Sequence, residues 1–395
     1  MLPDFDARLR DYAEAIVRIG VNLQPGQKLL VTDPYDQQGV ARSAEVLIGA
    51  VRRAALELGD DCEVVWSPSA ELRALAEGDE RGAFDRLVAR NTAKLEHHLR
   101  RGGAFLFLTG SQPRLMDGVP AAHLAAQHEI SWRYFGPVVQ RLVHGATQWC
   151  LAPAPAPSWA ALAFADLPSE QRLAALWRCV FDAVRAHGDG SVCGRWNEHL
   201  QRLAASAGKL NATRHARVRL SGPGTDLTLA LPEKHRWCTA EQRTARGVRH
   251  VINLPTEEVF TAPDCRSAAG RVRVARPVCH AGTTIEDIEL EFRAGRVVAA
   301  SARTNADLLR ELLETDGGAA RLGEVALLAG DLGGARLGWQ DARRVFHHPL
   351  LDENAANHLA LGEAYPFCHR GWWRLGVNRS LIHLDLPLDA RAELA

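Results

Sequence analysis

No sign of charge predominates in this chain of 395 residues: forty-seven lysines and arginines meet forty-seven aspartates and glutamates. Nothing in the overall charge therefore draws it to nucleic acid or to an anionic membrane surface, and neither partner is expected. No stretch offers eighteen uninterrupted apolar residues, so no transmembrane helix is expected. The opening Met1-Leu2-Pro3-Asp4-Phe5-Asp6 lacks the basic stretch and apolar run of a secretory signal, which makes the cytoplasm the expected location. The eight cysteines are scattered without CxxC spacing, as reduced thiols would be, and unlike a disulfide framework or a zinc ribbon. There is no GxSxG elbow and no cysteine–histidine signature to argue for covalent catalysis. Gly222-Pro223-Gly224-Thr225-Asp226 lacks the lysine and the strand-to-helix setting of a phosphate loop, and reads instead as a tight turn between strands.

What is present is an ordinary globular composition, 47% hydrophobic and 24% charged, in a chain long enough for two domains. Leu9, Ala13, Ile16 and Val17 recur at helical spacing between Phe5 and Ile19, with Gly20 in the place of a C-cap. Lys28 to Thr32 reads as a short buried strand, Val40 to Leu58 as a helix, and Ala104 to Leu108 as a central strand opening into a loop. The first half is thus expected to be α/β with a largely parallel sheet. Leu151 to Ser158, where prolines alternate with alanine, reads as a rigid connection that cannot be a central strand or a helix interior. Helical material follows from Ser169 to about Ala205, with Trp177 and Phe181 spaced for one face. From His215 onward short alternating strands take over, at Val218 to Leu220, Leu227 to Ala230, Val272 to Val274, Ile285 to Phe292 and Val297 to Ala300. This texture places a boundary near residue 208, between an N-terminal α/β domain (1–207) and a C-terminal α+β domain (208–395).

Metal chemistry first shows in His383-Leu384-Asp385, because residues i and i+2 of a strand project to the same face. Alone, the pattern is weak, since two polar residues on the solvated face of a strand are its far commoner origin. Asp352-Glu353-Asn354-Ala355-Ala356-Asn357-His358 adds another carboxylate and imidazole. Five positions on a helix is about 140° of rotation, so the spacing puts Glu353 on an entering loop and His358 one turn inside a helix, with Asp352 or Asn354 as its cap. If that helix continues, Tyr365 lies on the face of His358, two turns on. Glu324 enters the apolar run Leu322-Gly323-Glu324-Val325-Ala326-Leu327-Leu328, where an unpaired carboxylate is expensive; its partner is either an arginine or a metal ion. Alternation in Asn253-Leu254-Pro255-Thr256-Glu257-Glu258-Val259-Phe260-Thr261 lets only one of Glu257 and Glu258 point inward.

Together these segments resemble the aminopeptidase T and aminopeptidase S metallopeptidases, the thermophilic aminopeptidases. The resemblance rests on Gly222 to Leu227, Asn253 to Pro263, Leu322 to Leu327, Asp352 to His358, Gly362-Glu363-Ala364-Tyr365 and Asn378 to Asp385, in the family's order and near its intervals. It reaches back to Gly20-Val21-Asn22-Leu23-Gln24-Pro25-Gly26-Gln27. It implies metal ligands at Glu258, Glu324, Glu353, His358, His383 and Asp385, with Tyr365 beside them. It also implies two divalent ions, zinc or cobalt, a small peptide substrate shortened from its N-terminus through a water activated by both ions, and a homodimer. The segment from Tyr365 to Asn378 is shorter than the family's and carries Trp372-Trp373, and the chain stops ten residues after Asp385. Those departures leave room for a specialised amide substrate. Ring-cleaving dioxygenases of dihydroxypyridines resemble the same fold family and hold one ferrous ion by two histidines and an aspartate, for which His358, His383 and Asp385 could serve. Three further glutamates would over-charge such a site.

Overall fold

A computed structural model of the chain describes residues 2–33, 38–58, 61–110, 112–280, 282–330, 339–340, 344–369 and 376–395. Trp372 and Trp373 lie outside the described residues. The chain divides into two compact units, one of Met1–Gly118, Ile130–Gln201 and Ala240–Thr256, the other of Val119–Glu129, Arg202–Thr239 and Glu257–Ala395. Position 208, where the sequence changes texture, lies within the helix Val192–Thr213.

The first unit is built on strands β1 (Leu29–Thr32), β2 (Cys62–Val64), β3 (Ala104–Thr109) and β4 (Trp149–Pro153). All pair in parallel, in the order β2-β1-β3-β4, as expected for the first half. The run Ala104-Phe105-Leu106-Phe107-Leu108 is buried throughout because its strand is covered on both faces, the usual fate of a central parallel strand. Leu151 to Pro153, expected as connection, belong to β4. A strand at the end of that order tolerates a proline that a central strand would not. Pro157 then opens the helix Pro157–Ala163 at its first turn, where its missing N–H costs nothing. The first helix runs from Phe5 to Glu14 and widens over Ala15–Gly20. Its Phe5 meets Trp177 edge-on at 5.2 Å and Phe181 at 5.6 Å, so those two aromatics do share one buried face of the helix Ser169–Ala183. A short antiparallel pair, β7 (Glu241–Arg243) and β8 (Arg249–Val251), completes this unit's strands.

The second unit contains a six-stranded antiparallel sheet and a four-stranded one. The larger is formed by β5 (Arg217–Gly222), β6 (Thr225–Ala230), β10 (Ala269–Arg273), β13 (Glu289–Arg293), β14 (Arg296–Ser301) and β18 (Arg391–Leu394). The glycine-rich turn joins β5 to β6 as a hairpin, with Gly224 at a φ of 74° that a side chain would strain. A separate two-stranded ribbon pairs β11 (Val278–His280) with β12 (Thr283–Ile285). The smaller sheet, in the order β17-β16-β15-β9, consists of β9 (Glu258–Thr261), β15 (Leu322–Leu328), β16 (Asn357–Gly362) and β17 (His383–Leu388).

One face of the four-stranded sheet is apolar: Val259, Val325, Leu327, Leu359, Leu361, Leu384 and Leu386 are all buried. Pleating sends the alternate residues to the other face, and those are the chemically active ones. Leu328 pairs with Glu258, Ala326 with both Phe260 and His358, and Ala360 with both Glu324 and Asp385. Gly362 pairs with His383. Glu258, Glu324, His358, His383 and Asp385 therefore stand on one surface, separated by Ala326, Ala360 and Gly362. The short residues keep the floor between them low.

Candidate metal centre

Each candidate side chain reaches the cluster from a different point of that sheet. The imidazole Nε2 of His358 lies 3.4 Å from Glu258 Oε2 and 3.5 Å from Glu324 Oε1. That of His383 lies 3.3 Å from Asp385 Oδ1 and 3.8 Å from Glu324 Oε2. Glu324 thus presents one oxygen to each histidine. Asp385 Oδ1 also comes within 4.0 Å of His358 Nε2, which closes the group. Glu353 enters from the end of the helix Pro349–Glu353, and its carboxyl and that of Asp385 act on each other. The structure therefore brings all six candidate ligands together.

Two expectations about local structure are corrected. His358 sits on strand β16, not one turn inside a helix, and Glu353 closes a short helix and is not on a loop. The spacing of Glu353 and His358 suggests one helix, but Asn354 to Ala356 form a turn and the sheet then offers Asn357 to Gly362 a ladder on both sides, from β15 and from β17. Tyr365 consequently does not share a helix face with His358. It follows the strand by way of Gly362, whose φ of 94° turns the chain, and a side chain at Gly362 would collide with the Ile382 carbonyl. The Tyr365 ring still arrives beside the cluster, 5.3 Å from the ring of His383. It is fixed there by stacking on Phe367 at 5.1 Å and by Phe260 at 5.8 Å.

Burial makes this arrangement electrostatically expensive without a cation. Desolvation pushes the Glu258 carboxyl up to about 8, and the neighbouring Glu324 and Asp385 push the same way. Glu353 is driven well above the carboxylate range by burial and then by Asp385 and Glu258. Burial would lower His358, yet the attraction of Glu258 and Glu324 carries it up to about 9; His383, beside Asp385, goes up to about 10 against the same desolvation. Burial opposes ionisation of Asp385, but the His383 and His358 imidazoles outweigh it and hold the carboxyl below its usual range. The shared physical content is a demand for positive charge, which protons satisfy poorly and a dication satisfies well. Glu258 Oε2 and Glu324 Oε2 are buried without a hydrogen-bond partner, and an oxygen in that position costs free energy unless something coordinates it. Glu258, Glu324 and His358 each offer one donor atom, all within 4.8 Å of one another, a spacing that one ion can bridge.

The surroundings hold these donors in place. The Glu363 carbonyl lies 2.8 Å from His383 Nδ1 and accepts its N–H, which turns Nε2 toward the carboxylates as the nitrogen that would be left to bind a metal. Asp316 accepts from the Leu381 amide at 2.6 Å and from the Ser380 hydroxyl at 3.0 Å, while Asn378 donates to the Gly318 and Gly362 carbonyls, and this fixes the loop that delivers His383. Asp352, next to Glu353, accepts from the Phe346 and His348 amides and from Arg276 at 3.2 Å. Both partners of that ion pair are buried, and Arg276 also donates to the Arg344 carbonyl. Sequence reasoning missed Arg276. It lies 76 positions from Asp352, and no local pattern links the two.

A carboxylate–imidazole cluster on a sheet face, open to divalent cations, is the arrangement of a metal-dependent hydrolase. Residues 5–393 match the model of one such family, the thermophilic metalloproteases (M29), and the chain belongs to that family. It is 34% identical over 389 residues to aminopeptidase T of Thermus thermophilus, covering 96% of this chain and 92% of the relative. It is 31% identical over 398 residues to aminopeptidase AmpS of Bacillus subtilis, covering 99% and 94%. The solved structure of wild-type AmpT from Thermus thermophilus superposes with a TM-score of 0.85 at 31% identity, covering 99% of this chain and 95% of that one.

Proposed function

We propose that this enzyme is a metal-dependent aminopeptidase that removes N-terminal residues from small peptides. In this reading two divalent ions, zinc or cobalt, are held by Glu258, Glu324, Glu353, His358, His383 and Asp385 in the second unit. The observation that carries the reading is the gathering of three carboxylates and two imidazoles on one sheet face, with Glu353 added from a helix end and with buried oxygens that lack partners. Such a donor set suits hard and borderline dications, and four carboxylates offset the charge of two of them. Glu324, with one oxygen toward each histidine, would offer a donor to both halves of the site. Bound there, the ions supply Lewis acidity that activates water and stabilises developing negative charge. The chain's own part is to hold the donors rigidly, to close off water behind the apolar face of the sheet, and to aim the Tyr365 phenol at the reacting carbonyl. The same crowd of glutamates speaks against a mononuclear ferrous dioxygenase, which needs fewer charges.

The test is turnover of a panel of aminoacyl anilides, dipeptides and modified amides after chelation and again after metal reconstitution. Activity should vanish on chelation and return with zinc or cobalt. Turnover confined to non-peptide amides would move the substrate class, and turnover unaffected by chelation would refute the metal assignment. Strand alternation also separates two neighbours. Glu258→Ala should lose metal and activity while Glu257→Ala keeps both, and equal metal loss from both would reverse that choice. We further infer a homodimer working in the cytoplasm, on the strength of the family resemblance. Among the described residues no helix is long and apolar enough to cross a membrane. Light scattering on the purified protein at working concentration decides the dimer.

A further inference from the structure

We propose that Asn354 is a positioning residue that ties Glu353 to the strand carrying Glu258 and thereby sets the protein's affinity for its metal ions. The inference rests on the metal-centre reading above. Asn354 is fully buried, and every polar group of its side chain is engaged. Its Oδ1 accepts the backbone N–H of Glu257 at 2.6 Å. Its Nδ2 donates to the Leu350 carbonyl at 2.9 Å and to Glu353 Oε1 at 3.1 Å. The orientation of the amide is dictated by these partners: flipped, it would set an NH2 against an N–H and an oxygen against two oxygens. The backbone is held too, since Gln340 donates to the Asn354 carbonyl at 2.8 Å.

One side chain therefore spans two elements that are 97 positions apart in sequence. On one side it fixes a carboxylate oxygen of Glu353, on the other the Thr256–Glu257 peptide, one residue before Glu258. Both are buried carboxylates that repel each other. Held apart by geometry, they keep the gap an ion needs; released, each is free to rotate toward any available donor and narrow it. Hydrogen-bond partners one step removed from a metal typically govern its affinity about ten- to a hundredfold. That is the size of effect expected here.

The experiment is a titration of the full-length protein, stripped of metal by chelation and freed of chelator, with Co2+, read by calorimetry and by visible d–d absorption, beside thermal unfolding of the metal-free chains. Asn354→Ala and Asn354→Leu are compared, the second filling the volume that the first empties. The matched control is Asn211→Ala. Asn211 clamps backbone in the same way, accepting from the Trp237 N–H at 2.9 Å and donating to the Trp237 carbonyl at 2.8 Å, but touches none of the six ligands. Both Asn354 variants should bind Co2+ about ten- to a hundredfold more weakly, with an altered d–d spectrum at saturation, whereas Asn211→Ala should lose thermal stability and keep wild-type affinity and spectrum. Wild-type affinity and spectrum in either folded Asn354 variant would overturn the assignment, as would an equal affinity loss in Asn211→Ala. Glu324→Ala, run alongside, separates the two levels: if it binds Co2+ like the wild type, the metal-centre reading itself fails, whatever Asn354 does.

Discussion

Glu353→Ala and Glu324→Ala should each lose bound metal and peptidase activity together while the chain stays folded. The first half of that expectation follows from position. Glu324 approaches both imidazoles, and Glu353 reaches Asp385 from the helix end, so neither can be deleted without opening the shell of donors. The second half follows from electrostatics. In the metal-free protein Glu353 is a buried carboxylate among like charges, so deleting it relieves repulsion; deleting Glu324 gives up its attraction to the two imidazoles but also its repulsion of Glu258 and Glu353, and the two offset. This contrasts with an ordinary buried ion pair such as Arg276–Asp352, where loss of one partner strands the other at a cost of about 3–5 kcal/mol. Metal analysis after reconstitution, with circular dichroism on the same samples, checks both halves. Variants that retain a full complement of metal would contradict the ligand assignment.

Tyr365→Phe should lose turnover by about a hundred- to a thousandfold with metal content unchanged, the usual consequence of removing one hydrogen bond to an oxyanion. The phenol sits beside His383 and is held by aromatic contacts on two sides, so removing its hydroxyl leaves the ring in place. A neutral phenol competes poorly for a dication among four carboxylates, but it is a good donor toward charge that develops only as the carbonyl is attacked. Substrate affinity should change little, since that charge is absent in the bound ground state. Loss of metal, or undiminished turnover on the best substrate found, would show that the hydroxyl has another role.

The position of Tyr365 shows how far sequence alone reached. Its nearness to the cluster was expected from helical geometry, and the helix does not exist; a turn at Gly362 delivers the ring by a different path. His383 and Asp385, by contrast, were legible because alternation is a local property of a strand and needs no knowledge of its neighbours. The same holds for the buried run around Glu324, whereas alternation sends Glu257 and Glu258 to opposite faces without saying which joins the cluster; both are buried, and only the resemblance singled out Glu258. What stayed hidden was contact between distant segments. Nothing local in Asn354 distinguishes a helix cap from a clamp on Glu257, and nothing in Arg276 announces Asp352. The parallel sheet of the first unit was readable from its apolar runs, but not that β4 would extend through Leu151 to Pro153. Pro153 is admissible there because it is the last residue of the strand at the end of the order.

The pairing of β15 with β16 shifts register between Leu322 and Glu324, so that Leu322 faces Leu361 while Glu324 faces Ala360. This irregularity works as a phase setting. Strand side chains alternate with a period of two, so a slip of one residue would carry Glu324 through the sheet to the side of Val325 and Leu327 and replace it with an aliphatic chain. The spacing of the donors is thus measured out in backbone hydrogen bonds, with Ala326, Ala360 and Gly362 as unmarked divisions of the ruler. Changes of side chain along these strands can tune the centre by degrees. Changes of length can only leave it intact or abolish it.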